Sequence, residues 1–280
     1  MMNLSQFSDP GPVVVEQAPS DLLRPFRSAR QWFEQACRHA GALSILLGMA
    51  LVRIFQPPFR FRQWIAQMEQ VGVHSLAVAL LTATFTGMVM VLQTGVQLGR
   101  FQSETMTPGI AGIALLREIA PVLTSLAIAA RVGAGITAEL GTMKVTEQID
   151  ALESIGTDPI HYLVVPRLVA CMVMVPALTI LADMVGILGG CLIGVTKLGI
   201  SVRSYLDITF HWVAPQDFYS GFLKTIVFGG IVATIGSYLG LRSSGGAEGV
   251  GTSTTRSVVA AFILILISDY FLTEILLKVL

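Results

Sequence analysis

Five apolar stretches, at residues 72–98, 108–140, 160–195, 217–241 and 256–278, limit what this chain can fold into. A helix rises about 1.5 Å per residue, so about 20 apolar residues cross a hydrocarbon core of about 30 Å. Inside lipid every backbone polar group must be satisfied within the fold, which leaves helices or a closed barrel. Barrel strands would read as short alternating segments, and these stretches are long and continuously apolar. The composition agrees: 53% of residues are hydrophobic and 13% charged, against about 25% charged in a soluble domain. The expectation is an all-α integral membrane protein with about five transmembrane helices.

What precedes the first span is of a different kind. Residues 1–20 carry three prolines and no amphipathic period, and read as a flexible tail. Residues 21–70 read as interfacial helices, with Arg24, Arg27, Arg30 and Arg38 beside Phe26, Trp32 and Phe33. The apolar piece from Ala42 to Phe55 is short for a crossing and is stopped by Pro57 and Pro58, so it is expected to be re-entrant or interfacial. The bundle proper is then 72–278. Because the basic residues before residue 63 crowd one side, the positive-inside rule puts the N-terminus in the cytoplasm. Five crossings then leave the C-terminus on the other side.

Residues 115–167 carry the most information. Arg117 and Glu118 stand inside an apolar run, where an ionisable side chain costs about 2.5 to 3.5 kcal/mol on insertion scales. Neighbours in a helix point about 100° apart, so the two must seek partners on other helices or in a watery cavity. Pro121 cannot donate to the Arg117 carbonyl, which predicts a kink or opening there. The following segment, 143–156, is too polar to cross and reads as a short amphipathic helix. Val145, Ile149, Leu152 and Ile155 lie on one side, with Glu147, Asp150 and Glu153 beside them. Asp158 before Pro159 is its stop signal. On the five-span topology this acidic helix is cytoplasmic, suited to a basic groove on another protein or simply solvated.

Further charges interrupt the spans: Arg131, Asp183, Lys224 and Asp269. With Arg117 and Glu118 they make three positive and three negative groups able to neutralise one another within a bundle. Lys224 and Glu118 are the preferred functional candidates, both expected to lie well inside the membrane where a polar cavity or lipid headgroup could meet them. Gly186, Gly190 and Gly194, and Gly236 with Gly240, form four-residue ridges that predict close helix packing, or else a seam between two copies. The glycine-rich 243–256 lacks the GxxxxGK[ST] pattern and a preceding strand, so it is expected to be a loop with a helix starting at Thr254 or Thr255. Cys37, Cys171 and Cys191 have no metal-ligand spacing, so no metal site is expected. A net charge of zero argues against nucleic acid.

Taken together, LLREIAPV at 115–122, AARVGAGITAELGTMKVTEQIDALESIGTDP at 129–159, the Pro166–Arg167 pair, FLKTIVF around Lys224 and TTRSVV at 254–259 resemble the MlaE/YrbE permeases of Mla-type ABC lipid transporters. The likeness covers about residues 40–280. It implies a permease domain over 21–280 that works as a homodimer in the bacterial inner membrane and hydrolyses no ATP itself. Two cytoplasmic ATPase subunits would bind the ATP, and no cofactor would sit on this chain. Phospholipids would pass between the inner membrane and a periplasmic MCE-domain protein, sustaining outer-membrane lipid asymmetry. A small cytoplasmic STAS-type subunit is a further partner the family allows. By motif position, Arg117, Glu118, Lys224 and Asp269 would line the lipid cavity, and Glu147, Asp150, Glu153 and Asp158 would form the coupling contact with the ATPase. Two other classes fit the residues alone: an ion-coupled secondary transporter using its buried charges as a relay, and a non-transporting scaffold that recruits a soluble partner.

Overall fold

The computed structural model describes residues 24–279, all of whose regular elements are helical. The expected tail at 1–20 lies outside the described residues. By contacts the chain divides between Met49 and Ala50. The first unit contributes most of α1 (Arg24–Ile54), a 31-residue helix that runs on into the second. The separate short piece expected at 42–55 is therefore the last half of one continuous helix. Its stop is where the sequence puts it, in the turn ahead of the Pro57–Pro58 pair.

In the second unit, α2 (Phe61–Gly72) leads through a short 3₁₀ turn into α3 (Leu76–Gly99). The next run, Glu104 to Val145, contains α4 (Thr107–Ala114), α5 (Ala120–Ile128) and α6 (Ala134–Val145). These are joined by π-turns at Leu115–Ile119 and Ala129–Gly133. A brief α7 (Gln148–Ser154) follows, then a π-turn at Ile160–Val164 and α8 (Val165–Leu198). The chain ends with α9 (Val202–Trp212), α10 (Pro215–Leu241) and α11 (Gly246–Val279).

Among the described residues six helical runs are long and apolar enough to cross a membrane. Five are the expected spans, extended at their ends, and the sixth is Cys37–Ile54 within α1. The glycine-rich segment expected to be a loop is mostly helix, since α11 starts at Gly246 and its first turns contain Gly249 and Gly251. Helix in this position is carried by packing: Val250 is buried and sits against Gly141 of α6. Propensity would not have given it.

The glycine ridges pack inside the chain. A Cβ on Gly87 of α3 would stand 2.0 Å from the Gly186 carbonyl oxygen of α8, so Gly87 must lack a side chain for these helices to touch, while a Cβ on Gly186 would meet the Leu115 side chain at 2.8 Å. Farther toward the N-terminus of α8, α10 approaches closely enough that a Cβ on Gly229 would lie 2.5 Å from the Cys171 carbonyl. The α8 helix thus packs against both α3 and α10, while α10 also packs on α6 and α11.

Three contacts fix the α1–α2 turn at the α7 end of the bundle. Arg53 pairs with Asp158 at 2.9 Å, Arg60 stacks over the Tyr162 ring at 4.4 Å, and His161 Nε2 lies 3.2 Å from the Gln56 carbonyl.

Candidate functional site

The site begins with a missing hydrogen bond. Pro121 has no N–H to offer the Arg117 carbonyl one turn back, and its ring crowds that turn. The helix answers by widening into the π-turn Leu115–Ile119, in which the Ala120 N–H reaches back to the Leu115 carbonyl. Lys224 then takes the orphaned Arg117 carbonyl, its Nζ donating at 3.3 Å. The opening anticipated from Pro121 is therefore present, and it is used.

The α10 helix can deliver Lys224 here because of Gly221, one turn earlier. A Cβ at that position would meet the Leu116 carbonyl oxygen at 2.3 Å. From α11 come Asp269 and Thr273, one turn apart on one face. Lys224 Nζ donates to Glu118 Oε2 at 2.5 Å and to Thr273 Oγ1 at 2.6 Å, and lies 3.1 Å from Asp269 Oδ1. The Thr273 hydroxyl in turn donates to the Asp269 carbonyl at 2.8 Å. Lys224 is wholly buried, while 36% of the Glu118 side chain and 20% of Asp269 remain accessible. The ammonium is thus fully engaged, and the group that faces outward is a carboxylate. Arg117 points elsewhere, to Asp217 Oδ1 at 3.4 Å, and Asp217 Oδ2 accepts from the Ala214 N–H to cap α10.

Three of the four residues expected at the cavity, Glu118, Lys224 and Asp269, meet in one cluster, and Arg117 flanks it. Sequence reasoning missed Asp217 and Thr273. Both had a local signal: Asp217 is the third residue of a helix opened by Pro215, and Thr273 stands four residues after Asp269. The expected neutralisation of six charges among themselves needs correction. Asp183 is 6% exposed and has no ion-pair partner among the described residues. Arg131 is exposed and likewise unpaired there. Instead the bundle uses Asp217 and a further pair, Arg167 with Glu139 at 2.8 Å. Arg167 is buried and also donates to the Leu163 carbonyl at 2.6 Å, inside the last π-turn.

At the other end of the Glu104–Val145 run, the single amphipathic helix expected at 143–156 is broken. Val145 closes α6, and the chain turns through Glu147, whose φ of 59° is left-handed, before α7 begins. A non-glycine residue in that conformation costs about 1 kcal/mol or more. Ile149 is buried and anchors the short helix, but Ile155 is 75% exposed. The four acidic residues separate into two kinds. Lys144 holds Asp150 at 2.8 Å. Asp158 accepts from Arg53 and from the Ile160 N–H at 3.0 Å, capping the helical turn that follows. Glu147 and Glu153 are exposed without an ion-pair partner among the described residues. Burial, and after it the nearby Asp150, push the Glu153 carboxyl above its ordinary value. Among the described residues no group of three or more His, Cys, Asp or Glu is arranged to hold a metal.

A family model described as "Permease MlaE" matches residues 64–275, which contain the cluster, the π-turns and α7. The chain belongs to the MlaE permease family. Among its relatives, a probable ABC transporter permease protein of Rickettsia felis is 44% identical over 85% of this chain and 92% of its own length. Another, the protein TRIGALACTOSYLDIACYLGLYCEROL 1, chloroplastic, of Arabidopsis thaliana, is 37% identical over 83% of this chain and 67% of its own. A third, the intermembrane phospholipid transport system permease protein MlaE of Haemophilus influenzae, is 37% identical over 85% of this chain and 92% of its own. This MlaE-family chain is thus an ABC transporter permease, a multi-pass membrane protein that works with ATPase subunits.

Proposed function

We propose that this permease moves phospholipids, with the Lys224 cluster in the wall of the lipid cavity and α7 as the part that receives the motion of the ATPase. One observation carries the reading. The helical run that holds Glu118 at a π-turn continues, through a second π-turn, to the α6–α7 break. Wide turns of this kind are where a helix can change register or bend without losing its hydrogen bonds wholesale. A push on α7 therefore has a path along one helix to the cluster. The Haemophilus relative is named as part of an intermembrane phospholipid transport system, which supports phospholipid as cargo.

In the same reading two copies of this chain associate with two cytoplasmic ATPase subunits, which bind and hydrolyse ATP. The same assembly carries a small STAS-type cytoplasmic subunit. The permease sits in the bacterial inner membrane with its N-terminus and α7 in the cytoplasm, and exchanges lipid with a periplasmic MCE-domain protein to sustain outer-membrane asymmetry. Arg117, Glu118, Lys224 and Asp269 shape the cavity, and Glu147 and Glu153 meet the ATPase. Asp150 and Asp158 hold α7 in place for that contact.

The test is to purify the tagged chain from its native membrane in mild detergent, identify what accompanies it, and reconstitute the complex into vesicles containing fluorescent phospholipid. We expect a P-loop ATPase and an MCE-domain protein in the preparation, and lipid transfer that requires ATP. A chain that purifies alone, or transfer driven by an ion gradient without ATP, would overturn the reading.

A further inference from the structure

Among the described residues two α-helices lie outside the six membrane-length runs: α7, just before the run Ile160–Leu198, and α9, just after it. They therefore stand at opposite ends of that run. The height of α9 follows from its attachments. The next run, Pro215–Leu241, has 27 residues, about 40 Å of helix, which matches the thickness of a bilayer with its headgroups. Pro215 thus reaches the headgroup layer, and Trp212, three residues earlier, lies within about 11 Å of it. From there α9 is folded back along the bundle. A Cβ on Gly190 of α8 would meet the Tyr205 hydroxyl at 2.7 Å, one on Gly194 would meet the Tyr205 ring at 2.8 Å, and one on Gly109 of α4 would meet Trp212 at 2.6 Å. Small residues thus seat α9 against the last turns of α8 and the first turn of α4.

At about 100° per residue, α9 has three distinct sides. Tyr205, Thr209 and Trp212 share the side against the bundle, where Tyr205 is 2% and Thr209 1% exposed. Val202, Leu206 and Phe210 fill the adjoining side. Phe210 is 75% exposed and Val202 53%, while Leu206 is half-buried. Arg203, Asp207 and His211 come next, all exposed, with Arg203 and Asp207 paired at 3.8 Å. The open apolar side thus lies between the bundle and the polar side. That order belongs to a helix lying in a membrane surface, with one flank in lipid and its charges in water. A soluble partner arriving from the aqueous phase would meet the polar side first. A second copy of the chain would find three apolar side chains on this edge, well short of the roughly 800 Å² per partner of a stable interface.

We propose that α9 is an in-plane membrane helix, which dips Val202, Leu206 and Phe210 into the leaflet at the end of the bundle opposite α7 and keeps Arg203, Asp207 and His211 in water. What covers the apolar edge is the lipid of that leaflet, whatever cargo the permease carries. Trp212, still 42% exposed, ends the helix at the layer where indole rings settle. The helix also has a mechanical consequence. It is seated on α4, which leads directly into the π-turn that holds Glu118. Anchoring α9 in the leaflet therefore fixes the depth of the Lys224 cluster below that surface.

The experiment uses the full complex in vesicles of phosphatidylethanolamine and phosphatidylglycerol. Cys37 is exposed and is replaced by serine, while the buried Cys171 and Cys191 stay. Val202→Cys, Phe210→Cys, Asp207→Cys and His211→Cys each then carry a nitroxide spin label, whose relaxation by oxygen and by a water-soluble nickel chelate reports its depth. All four positions are exposed, so the labels displace no packed side chain. Labels at 202 and 210 should lie about 5 to 10 Å below the headgroup boundary, and those at 207 and 211 should be open to nickel. Four labels at one depth, whether in water or in lipid, overturn the proposal. So does a label at 210 shielded from both reagents, which would mean that a second copy or another protein covers the edge.

Discussion

The Lys224 cluster and the α7 end of this permease use charge in opposite ways. In the cluster one ammonium is wholly buried and shared among four oxygens from two stretches of chain. At α7 two carboxylates are tied down by cations of the same chain, while Glu147 and Glu153 stand in the open. The difference follows from solvent. Inside the bundle an unpaired ion has nothing to replace its hydration, so the chain must complete the pairing itself. At the surface water does that, and charges can be left over for a partner. A fully paired buried group is therefore evidence about architecture, and an unpaired one exposed at the surface is evidence about contact.

The largest effect should come from breaking the pairing inside. Lys224→Met strands Glu118 and Asp269 beside each other, and losing one partner of a buried ion pair costs about 3 to 5 kcal/mol. The purified variant should unfold at a markedly lower temperature in detergent, or fail to accumulate. Adding Glu118→Gln and Asp269→Asn to Lys224→Met should recover most of that stability without recovering lipid transfer. If the single variant is as stable as the parent, the cluster is not the electrostatic centre of the bundle.

Next in size is the contrast among the four acidic residues. Glu147→Lys with Glu153→Lys should weaken binding of the ATPase at least about tenfold, since reversed charges against a basic surface cost several kcal/mol. The thermal stability of the isolated chain should barely move. Asp158→Asn should do the reverse: little direct loss of ATPase affinity, but a less stable α7 end. Equal losses of affinity at all four positions would show that the acidic face acts as one surface and that the intrachain pairs do not matter.

Those four residues also show how far the sequence could be read. The apolar stretches gave five of the long helical runs, because length and hydropathy act locally. The charged residues at 117, 118, 224 and 269 could be nominated, because an ion at membrane depth stands out against its neighbours. Pro121 announced the break in the helix. What stayed hidden depends on which helices meet. Nothing near Arg167 in the sequence names Glu139, and Arg131 and Asp183 look as able to pair as Lys224 does. The break at Thr146–Glu147 was hidden too, because the apolar spacing of Val145, Ile149, Leu152 and Ile155 reads as one helix whether or not the backbone turns left-handed at Glu147. The glycines of 246–251 read as a loop, since their helix is held by packing on α6.

The Arg53–Asp158 pair probes the border between the two regimes. Arg53 is 22% exposed and Asp158 40%. A double-mutant cycle of Arg53→Gln and Asp158→Asn should return a coupling of about 0.5 to 1 kcal/mol, at the upper end for partly exposed pairs. Raising the salt concentration should shrink it. A coupling near zero would leave the stacked Arg60 and Tyr162 as the main link between the α1–α2 turn and α8.

The smallest effect is at Glu153 and concerns pH. Its carboxyl is raised above the ordinary value of 4.5, first by burial and then by Asp150. A raised acid favours the folded state while protonated, so this contribution is complete below 4.5 and is lost as the pH rises through the folded value. Glu153→Gln should therefore stabilise the isolated chain slightly at neutral pH, by a few tenths of a kcal/mol at most given its exposure, and not at all below pH 4.5. A basic partner surface has the opposite preference, because it favours the ionised carboxylate. Affinity for the ATPase should thus rise with pH through the same window, and the Glu153→Gln variant should show a flatter pH profile than the parent. A parent profile no steeper than that of the variant would mean that Glu153 lies outside the contact, leaving Glu147 as the free acidic residue that meets the ATPase.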